Sequence, residues 1–168
     1  MALQGINSPE EARESFNQFV GNVRLFLRDF AELNRLVDGV ETSDRMIAFF
    51  AIDAISDWNS TPPLIGNFGF VDFVNRGWVS LLRLGTVVQT ITSVGILQTR
   101  NHLPFSDGGL NIAVSDKTPQ IQAWVQLFDH RWQTQKQQVK TAMNIEQLLG
   151  GGQSGVSSDY SELFYFNI

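Results

Sequence analysis

Apolar positions along the chain recur mostly at three- and four-residue steps, the spacing that gathers side chains on one face of an α-helix. The first such run is Phe16, Phe19, Val20, Val23, Phe26, Leu27, Phe30, Leu33 and Val37, with Arg13, Asn17, Arg24, Arg28 and Glu32 falling elsewhere. Ser8-Pro9-Glu10-Glu11 signals its start. Ser8 accepts from an early backbone N–H, Pro9 suits the first helical position, and Glu11 completes a capping box. Asp38-Gly39 supplies the predicted stop, which makes a helix of about 40 Å. A second helix, capped by Thr42 or Ser43, carries Met46, Ile47, Phe49, Phe50, Ile52, Ala54 and Ile55. It stops at Asn59-Ser60-Thr61-Pro62-Pro63, because proline removes a donor and disfavours helical geometry in the residue before it.

A third apolar run, Phe70, Phe73, Val74, Trp78, Leu81, Leu82, Gly85 and Val88, keeps helical spacing. From Thr86 to Thr99 the residues become β-branched and the period blurs; helix is the reading adopted there, with strand as the alternative. Phe105-Ser106-Asp107-Gly108-Gly109-Leu110 is a hairpin signal, and Leu110, Ile112 and Val114 alternate with Asn111 and Ala113 as in a short strand. Thr118-Pro119 opens a last long helix that ends at Gly150-Gly151-Gly152. The expected architecture is mainly α: an antiparallel bundle of three or four long helices over residues 1–149, with a small β-hairpin at about 103–114 and an extended C-terminal arm.

The last segment changes the picture most. Residues 150–158 are Gly, Gln, Ser and a single Val, the composition of a linker. Residues 159–168 form an aromatic docking arm in which Tyr160, Glu162, Phe164, Phe166 and Ile168 would share one face of a strand, with Leu163 and Tyr165 on the other. Left free, such a segment is an aggregation hazard. Its apolar members, Tyr160, Leu163, Phe164, Tyr165, Phe166 and Ile168, are the candidate protein-interface residues. They dock either on the chain's own core or in a neighbouring subunit by strand addition.

Charged residues make up 17% of the chain, well below the roughly 25% of an average soluble domain, which reserves surface for contact with protein. The net charge is −5 and no run of Lys or Arg occurs, arguing against a duplex-binding or anionic-membrane surface. With no cysteine, disulfides, thiol catalysis and thiolate metal sites are excluded. Residues 1–8 lack the basic start and apolar run of a secretory signal. The charge-free stretch between Arg83 and Arg100 is interrupted by Thr, Ser and Gln and is expected to fall short of the ~20 apolar residues of a membrane span.

Candidate catalytic groups are sparse. Of the two histidines, His102 precedes Leu103-Pro104 in an expected loop and His130 lies on a polar helix face. Asp53 and Asp57 stand one helical turn apart and would suit a cation or acid–base chemistry, but no third ligand is evident. Asp57 sits badly for the helix dipole and is expected to be compensated by Arg45 or Arg76. Asp107-Gly108-Gly109 lacks the following Gly-Lys-Ser/Thr of a phosphate loop. Trp124 and Trp132, eight apart on one helix face, read as core or interface rather than as a sugar or single-strand platform. No cofactor is implied.

The long amphipathic helices, the Asp57-Trp58-Asn59-Ser60-Thr61-Pro62-Pro63 break, the Phe105-to-Leu110 turn and the tethered aromatic C-terminus together resemble the small virion proteins of tailed bacteriophages. Among these the organisation is most similar to head–tail connector, or neck adaptor, proteins. The resemblance implies a non-enzymatic structural protein of the virion, assembled in the bacterial host cytoplasm. It would form a homo-oligomeric ring joining the portal to adjacent neck or tail proteins, with no membrane partner and DNA met at most by passage through a channel. Arg76 and Arg83, seven apart, are the candidate DNA-channel contacts, with a solvated face as the other reading. A different class remains open: a bacterial helical binding module or chaperone-like adaptor acting on a protein client. An enzyme would need Asp53, Asp57, Asp72 and one histidine brought together.

Overall fold

A computed structural model describes residues 8–34, 39–100, 105–107, 110–112 and 118–148. The chain is mainly helical: α1 (Pro9–Leu27), α2 (Asp44–Ser60), the single-turn-and-a-half α3 (Phe70–Asn75), α4 (Val79–Arg100) and α5 (Thr118–Leu148). Between α4 and α5 the backbone pairs Phe105–Asp107 (β1) with Leu110–Ile112 (β2) in antiparallel register, Ser106 opposite Asn111. The linker at 150–158 and the arm at 159–168 lie outside the described residues.

The chain's own start signals operate as chemistry. The Ser8 hydroxyl accepts from Glu11 N–H, and Glu11 Oε2 accepts in return from Ser8 N–H, both at 3.2 Å. Ser43 caps α2 by accepting from Met46 N–H. At the far end of α2, Thr61 is extended, as the residue before Pro62 must be, and its hydroxyl donates to Asp57 O at 2.7 Å.

Two predicted helices are shorter than expected. The first does not continue to Val37: it ends at Leu27, with Arg28 in the left-handed region (φ 55°) and its N–H donating to Arg24 O and Leu25 O. The apolar period runs on through Phe30 and Leu33, but the Asp29 carboxylate draws the backbone aside. It accepts from Glu41 N–H and Thr42 N–H at 2.7 and 2.8 Å and from Asn34 Nδ2 at 2.7 Å. The third run is broken as well, since Gly77 takes a positive φ of 73° and separates α3 from α4. The stretch 86–99 is helix, and its threonines are accommodated by donating to carbonyls one turn back: Thr86 to Leu82, Thr90 to Thr86, Thr92 to Val88 and Thr99 to Gly95.

α4 is the hub, in contact with α1, α2, α3 and α5. Gly85 lies against Ala54 of α2 and Trp132 of α5, while ten residues on Gly95 lies against Ile121, so α5 runs back along α4. Leu81, Leu82, Val87 and Val88 from α4 join Phe19, Val20 and Val23 of α1, Ile47, Ala51, Ala54 and Trp58 of α2, Phe73 of α3, and Trp132 and Met143 of α5 in one core. The whole of α4, which extends past the charge-free stretch to take in Arg83 and Arg100, is long and apolar enough to cross a membrane by length and composition. Its place at the centre of the helices accounts for that apolarity.

Candidate protein-interaction surface

Most polar groups that the fold takes out of water are paired inside it; among the described residues the Trp58 indole N–H is buried without a hydrogen-bond acceptor. α5 inserts two lysines against the C-terminal end of α2, Lys136 at 2% exposure and Lys140 at 1%. Lys136 Nζ donates to Asp57 Oδ2 at 2.7 Å, and the same oxygen accepts from Trp132 Nε1 at 2.9 Å. Lys140 donates to Thr61 O and Pro63 O and lies 5.4 Å over the Trp58 ring. Cations are thus placed where the helix dipole and the unpaired terminal carbonyls are negative. Burial, reinforced by the neighbouring Lys136 charge, pulls the Lys140 amine below its usual pKa, and Asp57 only partly opposes this. Asp57 is therefore compensated from α5, not by Arg45 or Arg76.

A second, partly buried polar node joins α1, the loop after it and α2. Arg24 pairs with Asp29 at 3.2 Å and with Asp44 at 2.6 Å, and donates to Thr42 O at 2.6 Å. Burial alone would raise the Asp29 carboxyl. The bonds from Glu41 and Thr42 N–H and from Asn34, with the Arg24 charge, outweigh it and hold that carboxyl below its ordinary value. Neither node was legible in the sequence beforehand. Arg24 reads there as a polar-face residue, and Lys136 lies 79 positions from its partner.

The acid–base candidates do not converge. Asp53 is exposed on α2, Asp57 is engaged with α5, and Asp72 caps α3 by accepting from Gly69 N–H at 2.7 Å. His130 is exposed on α5, and His102 lies outside the described residues. Among the described residues no three metal-ligating side chains come together. The two arginines suggested for a channel each lie over aromatic rings, and the rings differ. Arg76 stacks over Phe68 and Trp78 at 5.2 Å each, beside the α3–α4 junction, and Arg83 lies 5.5 Å over Phe26. The interface residues Tyr160, Leu163, Phe164, Tyr165, Phe166 and Ile168 lie outside the described residues.

What the surface offers instead is apolar. Met46, Phe49 and Ile52 follow one another at three-residue steps along the outer side of α2, with Phe49 59% and Ile52 61% exposed. Across the molecule, Trp124 is 55% exposed and stacks on Phe128 at 5.8 Å, with Phe26 edge-on to Phe128. Of the two helix-face tryptophans, Trp132 is core and Trp124 is surface. Large apolar side chains grouped in this way make these two faces the candidate contact surfaces. No family model matches the chain, and no characterised protein or solved structure matches it either.

Proposed function

We propose that the chain is a non-enzymatic structural protein of a tailed-phage particle, one copy of a homo-oligomeric ring in the neck between portal and tail. In this reading an antiparallel helical bundle, with its hairpin and C-terminal arm, contacts its own copies and the adjacent virion proteins. The observation that carries it is the uncovered ridge Met46–Phe49–Ile52 on a helix whose opposite side is core. The buried charges support it too, since Lys136, Lys140 and Asp29 are spent on holding helices and their connections together.

Light scattering of the full-length chain, alone and mixed with portal rings, tests the proposal. The expected result is a closed oligomer in at least one condition, reduced to monomer by Phe49→Asp combined with Ile52→Asp. A wild-type chain that stays monomeric in both conditions overturns it and returns the molecule to the client-binding class.

A further inference from the structure

The groove bounded by the end of α1, the first half of α4 and the middle of α5 has a volume of about 230 Å³. Phe26 and Phe128 form its apolar floor, in edge-to-face contact at 5.8 Å. Arg83 and Arg131 line its sides, with Ser80 and Gln135. In a chain with 17 acidic and 12 basic residues, both guanidinium groups stand without a carboxylate partner among the described residues. An aromatic floor beside two cations that lack a carboxylate, one of them over the Phe26 ring, fits a segment that interleaves aromatic side chains with carboxylates.

The chain carries such a segment itself. Asp159-Tyr160-Ser161-Glu162-Leu163-Phe164-Tyr165-Phe166 has two carboxylates, four aromatic rings and no Lys, Arg or His. Its attachment point argues for a second copy. From Arg131, the nearer of the two groove arginines to the C-terminus, α5 runs about 26 Å on to Leu148. Ten residues, 149–158, separate Leu148 from the arm, and a chain of that Gly/Ser composition spans roughly 17 Å on average. Its contour limit is about 35 Å. Reaching the chain's own groove stretches the tether to about one and a half times its average span, a stretch that a groove on a second copy need not impose.

We infer that residues 159–168 of a second copy occupy this groove, with their aromatic side chains against Phe26, Phe128 and Trp124 and with Asp159 and Glu162 beside Arg83 and Arg131. The inference rests on the reading of the chain as a self-assembling structural protein, and it names the surface that receives the arm.

The test uses the full-length chain carrying a benzophenone photo-crosslinker in place of Phe164, irradiated as an equal mixture of light- and heavy-nitrogen protein. Expected are light-to-heavy crosslinks into residues 80–87 or 124–135. Crosslinks confined to one isotope, crosslinks landing on α2 at Phe49, or none between copies would each overturn the inference. Arg83→Glu with Arg131→Glu, checked for wild-type helicity by circular dichroism, should lower the crosslink yield about tenfold, the sum of two exposed charge pairs. Adding Asp159→Lys and Glu162→Lys should restore it, and failure to restore it removes the charge pairing from the inference. Light scattering on the same samples separates the two readings. An oligomer whose arm crosslinks elsewhere sinks the groove assignment alone, and a monomer without intermolecular crosslinks sinks both. Loss of labelled-duplex binding in the double arginine variant, with crosslinks unchanged, would hand the groove to DNA and overturn the arm.

Discussion

Lys136 and Asp57, 79 positions apart in the chain, meet at 2.7 Å and fix the fifth helix against the C-terminal end of the second. The lysine is almost wholly buried, while the Asp57 side chain keeps 36% of its surface in water. That exposure places the pair between a surface salt bridge and a fully buried one. Lys136→Ala is expected to cost about 2 kcal/mol, because Asp57 keeps only the Trp132 indole as partner and the space left by the lysine stem stays open. Lys136→Met, which preserves the stem beside Trp132, should cost about half as much. Urea midpoints of the two variants check this, and equal midpoints would show that the charge, not the packing, dominates.

Two helical glycines should respond to alanine in opposite directions. A Cβ on Gly85 would stand 3.1 Å from Ala54 Cβ and 3.1 Å from the Trp132 ring, which is itself held by its bond to Asp57. Neither neighbour can retreat, so Gly85→Ala is expected to destabilise by about 1–3 kcal/mol despite alanine's better helix propensity. A Cβ on Gly21 meets nothing within 4 Å, and Gly21→Ala should stabilise by up to about 1 kcal/mol. Thermal unfolding of the two variants side by side is the measurement, and a stabilised Gly85→Ala would mean that α2 and α5 are less closely seated on α4.

What the chain announced about itself was local. Ser8-Pro9-Glu10-Glu11, Ser43 and Pro62-Pro63 mark helix ends through their own side chains and rings, so those boundaries were readable. The end of α1 was not, because Phe30 and Leu33 keep the helical period while the cause of the stop is a carboxylate satisfied by residues 12 and 13 positions later. Burial of Lys136 and Lys140 was equally hidden. A lysine reads as surface until the helix end it complements is placed beside it. Of the candidate surface, the apolar residues of α2 were visible as a run, but which of them face outward depends on where α4 packs.

Asp29 should make the α1–α2 connection acid-sensitive. Its carboxyl sits below the ordinary 3.8, so the folded state holds the charged form more firmly than the unfolded chain does. The stability it contributes is present above pH 3.8 and is lost as pH falls through the lower folded value. Asp29→Asn removes the charge that Arg24 and two backbone N–H groups share and should cost about 1–3 kcal/mol at neutral pH. The difference between wild type and variant should shrink as pH drops below 4 in urea titrations. A difference that persists undiminished at the lowest pH would assign the loss to geometry rather than charge.

Lys140 predicts the opposite end of the pH scale. Its amine is held below 10.5, first by burial and then by the Lys136 charge, so the folded state gives up its proton before the unfolded chain does. Between the folded value and 10.5 the unfolded state binds more protons, and stability from this group rises with pH. Lys140→Met abolishes that titration and should remove this rising component between the lowered folded value and 10.5. The variant also strips the donor from Thr61 O and Pro63 O, so its stability at neutral pH is expected to fall, by about 1–3 kcal/mol. The informative quantity is the slope: wild type minus variant, followed by urea midpoints at half-unit steps, should grow as the solution becomes more alkaline. A flat difference would mean that Lys140 keeps an ordinary affinity for its proton, and that the carbonyls at the end of α2 repay its burial in full.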